Sequence, residues 1–151
     1  MVFEVAVGID TNIFISVINK ETDFSYSKRI LDWIDEGKLT GLVSTIVLAE
    51  ICSGYEMESA DERDDFLAYV LGSANYKIID VTVPLALEAG KLRAKKSLKL
   101  PDALIVASAL RHSGEFLVSN DSTIGNAVIE GLKVTTAAKF VRHFDGSRSK
   151  S

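Results

Sequence analysis

The chain has 151 residues, 47% of them apolar and 25% charged, with a formal net charge of -4. That length suits one domain with a sizeable core. No apolar run approaches the ~18–20 residues a membrane helix needs, and the N-terminus lacks the basic stretch of a secretion signal. A single cysteine, Cys52, excludes an intrachain disulfide framework and fits a reducing, cytoplasmic setting. The acidic balance speaks against a partner of DNA-binding-domain type, but not against an enzyme that keeps its acids in the active site.

The first strand is Val5-Ala6-Val7-Gly8-Ile9, an apolar run that ends abruptly in Asp10-Thr11-Asn12. A helical pattern resumes at Ile13, Phe14, Val17 and Ile18. Ile30, Leu31, Trp33 and Ile34 space a second helix, with Gly37 as its C-cap. Leu39 to Ser44 reads as a second strand, and Ser44 or Thr45 caps a third helix that runs through Ile46 to Cys52. The apolar flanks of Cys52 predict a buried thiol. Ser59 and Glu62 form a capping box for a fourth helix, whose stripe is Phe66, Val70 and Leu71 and whose stop is Gly72.

Tyr76 to Val81 reads as the third strand. Thr82 caps the next helix, with Pro84 in its first turn and Leu85, Ala89 and Leu92 facing inwards. Lys91, Lys95 and Lys99 recur every four residues on another face, with Arg93 and Lys96 nearby. Pro101 opens a helix from Asp102 to His112 that is apolar nearly all round and therefore buried. Glu115 to Val118 is a fourth strand that runs into a loop, Ser119-Asn120-Asp121. Leu132 to Val134 is a short fifth strand, and Thr135 or Thr136 caps a last helix through Phe140 and Val141. Residues 1–143 form a single domain and 144–151 a disordered tail. Strands alternating with helices imply an α/β fold, a parallel sheet with helices on both faces.

Four acids stand in costly or strategic places. Asp10 ends strand one, where ligand crevices open in parallel sheets, and it reads equally as an N-cap. Glu50 sits mid-helix beside Ile46, Val47 and Gly54, where an unpaired buried carboxylate would cost several kcal/mol; an exposed face or a lysine partner would remove that cost. Asp102, in the first turn of its helix, is also favoured there by the helix dipole. Asp121 follows strand four, where Asx-rich turns are common. Two of these acids leave parallel strands and two enter from helices at the same edge. Converging carboxylates raise one another's pKa, and a divalent cation removes the repulsion. An all-oxygen set suits a hard ion, Mg²⁺ or Mn²⁺, while His112 and His143 lack ligand spacing for zinc. Asp80 also closes a strand, and with Thr82 as a good cap nearby it reads as structural; position alone does not separate it from the other four.

The chain resembles the PIN-domain proteins, and among them the small single-domain ribonucleases of VapC type. Asp10-Thr11-Asn12, Ala49-Glu50-Ile51, Leu100-Pro101-Asp102-Ala103-Leu104-Ile105 and Leu117-Val118-Ser119-Asn120-Asp121 carry the resemblance. It implies a three-layer α/β/α sandwich around a parallel sheet of four or five strands. It also implies an endoribonuclease that uses one or two Mg²⁺ or Mn²⁺ ions and leaves a 5′-phosphate. Asp10, Glu50, Asp102 and Asp121 would form the catalytic metal site. Thr11, Asn12, Ser119 and Asn120 would support it or touch the substrate, with Ser119 where the family more often has threonine. A small antitoxin protein and a homodimer are the partners implied, with no membrane.

The basic stripe reads either as a solvated face or, through Arg93 and Lys95, as a guide for RNA towards Asp102. Phe24, Tyr26, Trp33, Tyr55 and Tyr69 read as core or as a partner face. The acidic run Glu56, Glu58, Asp61, Glu62, Asp64 and Asp65 reads as a solvated face or as a surface for a basic partner. Two rival functions within the resemblance are an RNA-processing nuclease that is not a toxin and a PIN-like interaction module without catalysis. A phosphatase with an aspartyl nucleophile fits less well, because Asn12 stands where it would want a second Asp and Glu50 has no place in that scheme.

Overall fold

The computed structural model describes residues 5–22, 24–54 and 60–149. In chain order the elements are β1 (Val5–Ile9), α1 (Thr11–Ile18), α2 (Phe24–Asp35), β2 (Leu39–Ser44), α3 (Thr45–Cys52), α4 (Ala60–Gly72), β3 (Tyr76–Ile79), α5 (Val83–Lys96), α6 (Leu100–Arg111), β4 (Phe116–Val118), α7 (Ser122–Gly125), β5 (Lys133–Thr135) and α8 (Ala137–Ser149). The five strands form one sheet in the order β3-β2-β1-β4-β5. Every pairing is parallel.

Val7 and Ile9 of β1 are fully buried, as a central strand covered on both faces requires. Register and packing show the two covers. Gly8 pairs with Leu42, and a side chain at Gly8 would meet the Ala109 methyl of α6 at 3.1 Å. Gly41 precedes Leu42, so it points the opposite way, and there Ile34 of α2 lies against it. The sheet is therefore sandwiched between α6 on one side and α2 on the other. α8 packs beside α2 through Trp33, Phe140 and Phe144.

The caps follow the sequence. Ser44 accepts from Ile46 N–H at 3.3 Å, Thr82 from Leu85 N–H at 3.4 Å, and Thr136 from Lys139 N–H at 3.2 Å. The predicted capping box involves Ser59, which lies outside the described residues, as do Tyr55, Glu56 and Glu58. Asp61, Glu62, Asp64 and Asp65 all face solvent on α4.

Three local expectations change. Cys52 is exposed. Ile51 is the residue of that turn that faces the core, and one helical step of about 100° carries Cys52 outwards. On α4, Val70 is buried but Leu71 is 59% exposed, so the stripe is narrower than its apolar letters suggested. α8 continues to Ser149 through residues read as tail, where Phe144 packs at a tilt against Trp33 and Asp145 meets Arg29 at 3.3 Å.

Gly8 sets how closely α6, and with it Asp102, approaches the sheet. Gly8→Val places methyl groups where Ala109 and Leu117 already sit. It should lower stability by about 1–3 kcal/mol in a denaturant melt.

Candidate active site

In a parallel sheet that winds both ways from its centre, the ligand crevice opens beyond the strand ends where the direction reverses. Here that point lies between β1 and β4, and Asp10 and Ser119 leave these two strands side by side. The backbone pairing is extended by Asp10 N–H donating to Val118 O at 3.1 Å. Asp80 leaves β3, at the far edge of the sheet, so strand order separates it from the other acids as its sequence could not.

Asp10 is 4% exposed. Its Oδ1 accepts from Thr11 N–H at 2.8 Å, and its Oδ2 accepts from Ser119 Oγ–H at 2.7 Å and from Asn12 Nδ2 at 3.0 Å. The N-cap reading and the site reading are thus both realised in one carboxylate. Ser119 is 1% exposed and acts as a hub: while donating to Asp10 it accepts from Asn12 Nδ2 at 3.2 Å and from Asp121 N–H at 3.0 Å. Asn120 donates its N–H to Asn12 Oδ1 at 3.0 Å, and its own Oδ1 accepts from Ala137 N–H at the start of α8.

Glu50 is exposed, the alternative among those its apolar neighbours left open that spares it a burial cost. α3 packs through Val47 and Ile51, which leaves Glu50 at the rim. Thr11 holds it there, donating from Oγ1 to Glu50 Oε1 at 2.8 Å. Asp102 is half-buried in the first turn of α6, and its Oδ2 is buried with no hydrogen-bond partner. Asp121 is half-buried and caps α7, accepting from Thr123 N–H at 2.8 Å. That short helix follows directly on the loop read from sequence, in a stretch to which the sequence assigned no element.

Asp10, Thr11, Asn12, Glu50, Asp102 and Asp121 line one hollow of about 510 Å³, together with Ile15 and Ser53. Those last two were missed from sequence, although Ile15 is one turn beyond Thr11 and Ser53 three residues beyond Glu50, the helical spacings that share a face. A second hollow of about 360 Å³ adjoins it, sharing Asn12 and Asp121 and adding Ser16, Glu21, Thr22 and Asn120. Arg93 and Lys95 line neither. Lys99 is the member of the basic stripe whose charge reaches the site, where it opposes the upward shift of Asp102.

The charges interact strongly. Burial pushes the Asp10 carboxyl up to about 6; the hydrogen bonds from Ser119 and Thr11 restrain the rise, and Asp102 and Glu50 add to it. Burial also raises Asp102, helped by Asp121 and Glu50. The four acids therefore feel one another through space. Among the described residues, no three of His, Cys, Asp and Glu stand ready as a cage for one ion. Mg²⁺ does not demand such a cage, since it is commonly held by one or two carboxylates and keeps several waters. The unpartnered Asp102 oxygen, the raised acids and the purely oxygen donor set fit a hard cation of this kind.

A PIN-domain family model matches residues 7–128. The chain belongs to the PIN-domain family. Among solved structures, this PIN domain is similar to VapBC2 of Rickettsia felis bound to a promoter DNA fragment, with 24% identity over 86% of this chain and 97% of the other and a TM-score of 0.63. It is similar to a toxin–antitoxin complex of Klebsiella pneumoniae, at 26% identity over 83% and 94% of the two chains and a TM-score of 0.62. It also shares the fold of VapC20 of Mycobacterium tuberculosis, a toxin that cleaves the sarcin–ricin loop, with 16% identity over 84% and 98% and a TM-score of 0.67. No curated protein matches the chain. The fold is thus shared with VapC proteins, and PIN-domain proteins are nucleases. No helix among the described residues is long and apolar enough to cross a membrane.

The raised pKa of Asp10 has a signed consequence. Between about pH 4 and 6 the folded state binds the proton that the unfolded chain releases, so the stability this proton supplies at low pH is lost as pH rises through 6. In metal-free buffer, Asp10→Asn should therefore flatten the stability profile over that window and raise stability at neutral pH by up to about 3 kcal/mol, read from melts at a series of pH values. Ser119→Ala removes a hydrogen bond to the ionised form. It should move the Asp10 midpoint higher still in a carbon-13 carboxyl titration.

Proposed function

We propose that this PIN domain is a divalent-metal-dependent endoribonuclease and the toxin of a toxin–antitoxin pair. The carrying observation is the gathering of Asp10, Glu50, Asp102 and Asp121, drawn from four separate parts of the chain, around one hollow. A binding scaffold has no physical reason to tolerate a carboxyl buried until its pKa reaches about 6. Likeness to toxin–antitoxin complexes supports the toxin role and a small protein antitoxin as partner.

Asp10, Asp102 and Asp121 would hold Mg²⁺ or Mn²⁺ directly or through water, and Glu50 through water. The chemistry such an ion supplies is activation of water and neutralisation of charge on the phosphate. The chain's own residues then have distinct tasks. Ser119 and Asn12 fix the plane of the Asp10 carboxylate. Glu50, at the solvent rim and tethered by Thr11, takes the proton of the attacking water. The second hollow, with Asn120 and Thr22 at its wall, receives nucleotides beside the scissile bond.

Purified protein with Mn²⁺ should cleave RNA to 5′-phosphate ends. Asp10→Asn or Asp102→Asn should cost at least about a hundredfold, the scale of losing one electrostatic stabiliser, and a chelator should abolish cleavage. Full activity in Asp10→Asn would sink the assignment. Mn²⁺ at a hundredfold excess over Kd should stabilise the parent by about 2.7 kcal/mol and the Asp10 variant much less. Growth arrest on expression, absent in Asp10→Asn, separates a toxin from a processing enzyme.

A further inference from the structure

The second hollow leads off in one direction. One of its walls is Thr22, two residues before α2, and another is Asn120, which accepts from the first N–H of α8 at 3.1 Å. It therefore opens towards the seam where α2 and α8 pack side by side. Tyr26 stands at that seam, in the first turn of α2, and is partly exposed. From α8 the guanidinium of Arg142 reaches over the Tyr26 ring, 5.7 Å from its centroid. Lys139, at the spacing that shares a helix face with Arg142, lies one turn nearer to Asn120. Lys139 and Arg142 are both exposed, and among the described residues neither has an ion-pair partner. Asp145, one turn beyond Arg142, pairs instead with Arg29.

We propose that single-stranded RNA leaving the acidic hollow crosses the second one and lies along the α2–α8 seam. There a base stacks on the Arg142 guanidinium, which Tyr26 backs from beneath, and Lys139 holds the adjoining phosphate. Planar faces for bases beside cations for phosphates are what an unpaired strand selects. The proposal rests on the ribonuclease reading above and adds where the uncut part of the substrate lies. Every base has a planar face, so such a stack lengthens the grip without choosing a sequence.

Charge calls for such a track. The chain carries a net charge of -4, and four of its acids gather where the strand would be cut. A divalent ion offsets phosphate charge at the scissile bond alone. Hold on the rest of the strand falls to cations placed further out. Arg93 and Lys95 of α5 border neither hollow and lack continuity with the site. Lys139 and Arg142 have it through Asn120, which touches Asn12 on one side and α8 on the other. Tyr26, read from sequence as core or partner face, thereby takes a part in the substrate's path.

Binding of a short, fluorescently labelled single-stranded RNA is read by anisotropy in an Asp10→Asn background, where the strand is not cut. Arg142→Gln should weaken binding about tenfold, the scale of one lost stack. Arg142→Lys keeps the charge without the plane, so it should lose affinity while leaving the salt dependence unchanged. Lys139→Gln should lower the slope of log K against log salt by about 0.7, the share of one phosphate on a single strand. Lys77→Gln, on β3 at the far edge of the sheet, should change neither quantity. With Asp10 restored and Mn²⁺ present, Arg142→Gln should raise KM for the same RNA about tenfold at unchanged kcat. A dinucleotide, too short to leave the hollow, should be cut equally by parent and variant. Unchanged binding in both Arg142→Gln and Lys139→Gln, or an equal loss in Lys77→Gln, would overturn the seam even in a protein that cleaves RNA. Binding that depends on these side chains in a protein that cuts nothing would uphold the seam and overturn the nuclease reading.

Discussion

The parallel pairing of β1 with β4 is the constraint from which the rest follows. It sets the carboxyl ends of two strands, 107 residues apart at Asn12 and Ser119, within one hydrogen bond of each other. Asp10 and Asp121 become neighbours only because of that adjacency. The Ser119 hydroxyl then serves three groups at once: Asp10, Asn12 and the backbone of Asp121. Helices α3 and α6 deliver Glu50 and Asp102 from positions that the strand order dictates. Nothing in this assembly depends on a long loop.

The electrostatic design runs against stability. A carboxylate at 4% exposure is held in place by donors that favour its charge, yet burial and the neighbouring acids outweigh them. Such opposition persists where it prepares a site for a cation or for proton transfer. The exposed Glu50 and the buried Asp10 mark the two ends of a gradient from water to core, joined by the short bridge through Thr11.

Much of this was legible in the residues, and the illegible part has physical causes. Strand ends, caps and the four acids could be read because they depend on local chemistry: an apolar run stopped by Asp10, a hydroxyl at Ser44 or Thr82. Strand order is a long-range property, so Asp80 and Asp121 looked alike until β3 was seen at the edge and β4 beside the central β1. Burial on a helix turns with each residue, and in α3 the letters Ala49-Glu50-Ile51-Cys52 are too apolar to reveal which side faces the sheet. Cys52 was misplaced for that reason, and for the same reason the exposure of Glu50 stayed open. The helix α7 is four residues long, too short to show a period. The extension of α8 is held by aromatic packing against Trp33, a contact with another part of the chain.

That rotation of α3 leaves the sole thiol of the chain in solvent, two positions along from Glu50. A maleimide dye would therefore attach at one side chain only, next in sequence to Ser53 of the hollow's wall and without any engineered cysteine. The native sequence thus carries its own labelling position on the helix that delivers Glu50.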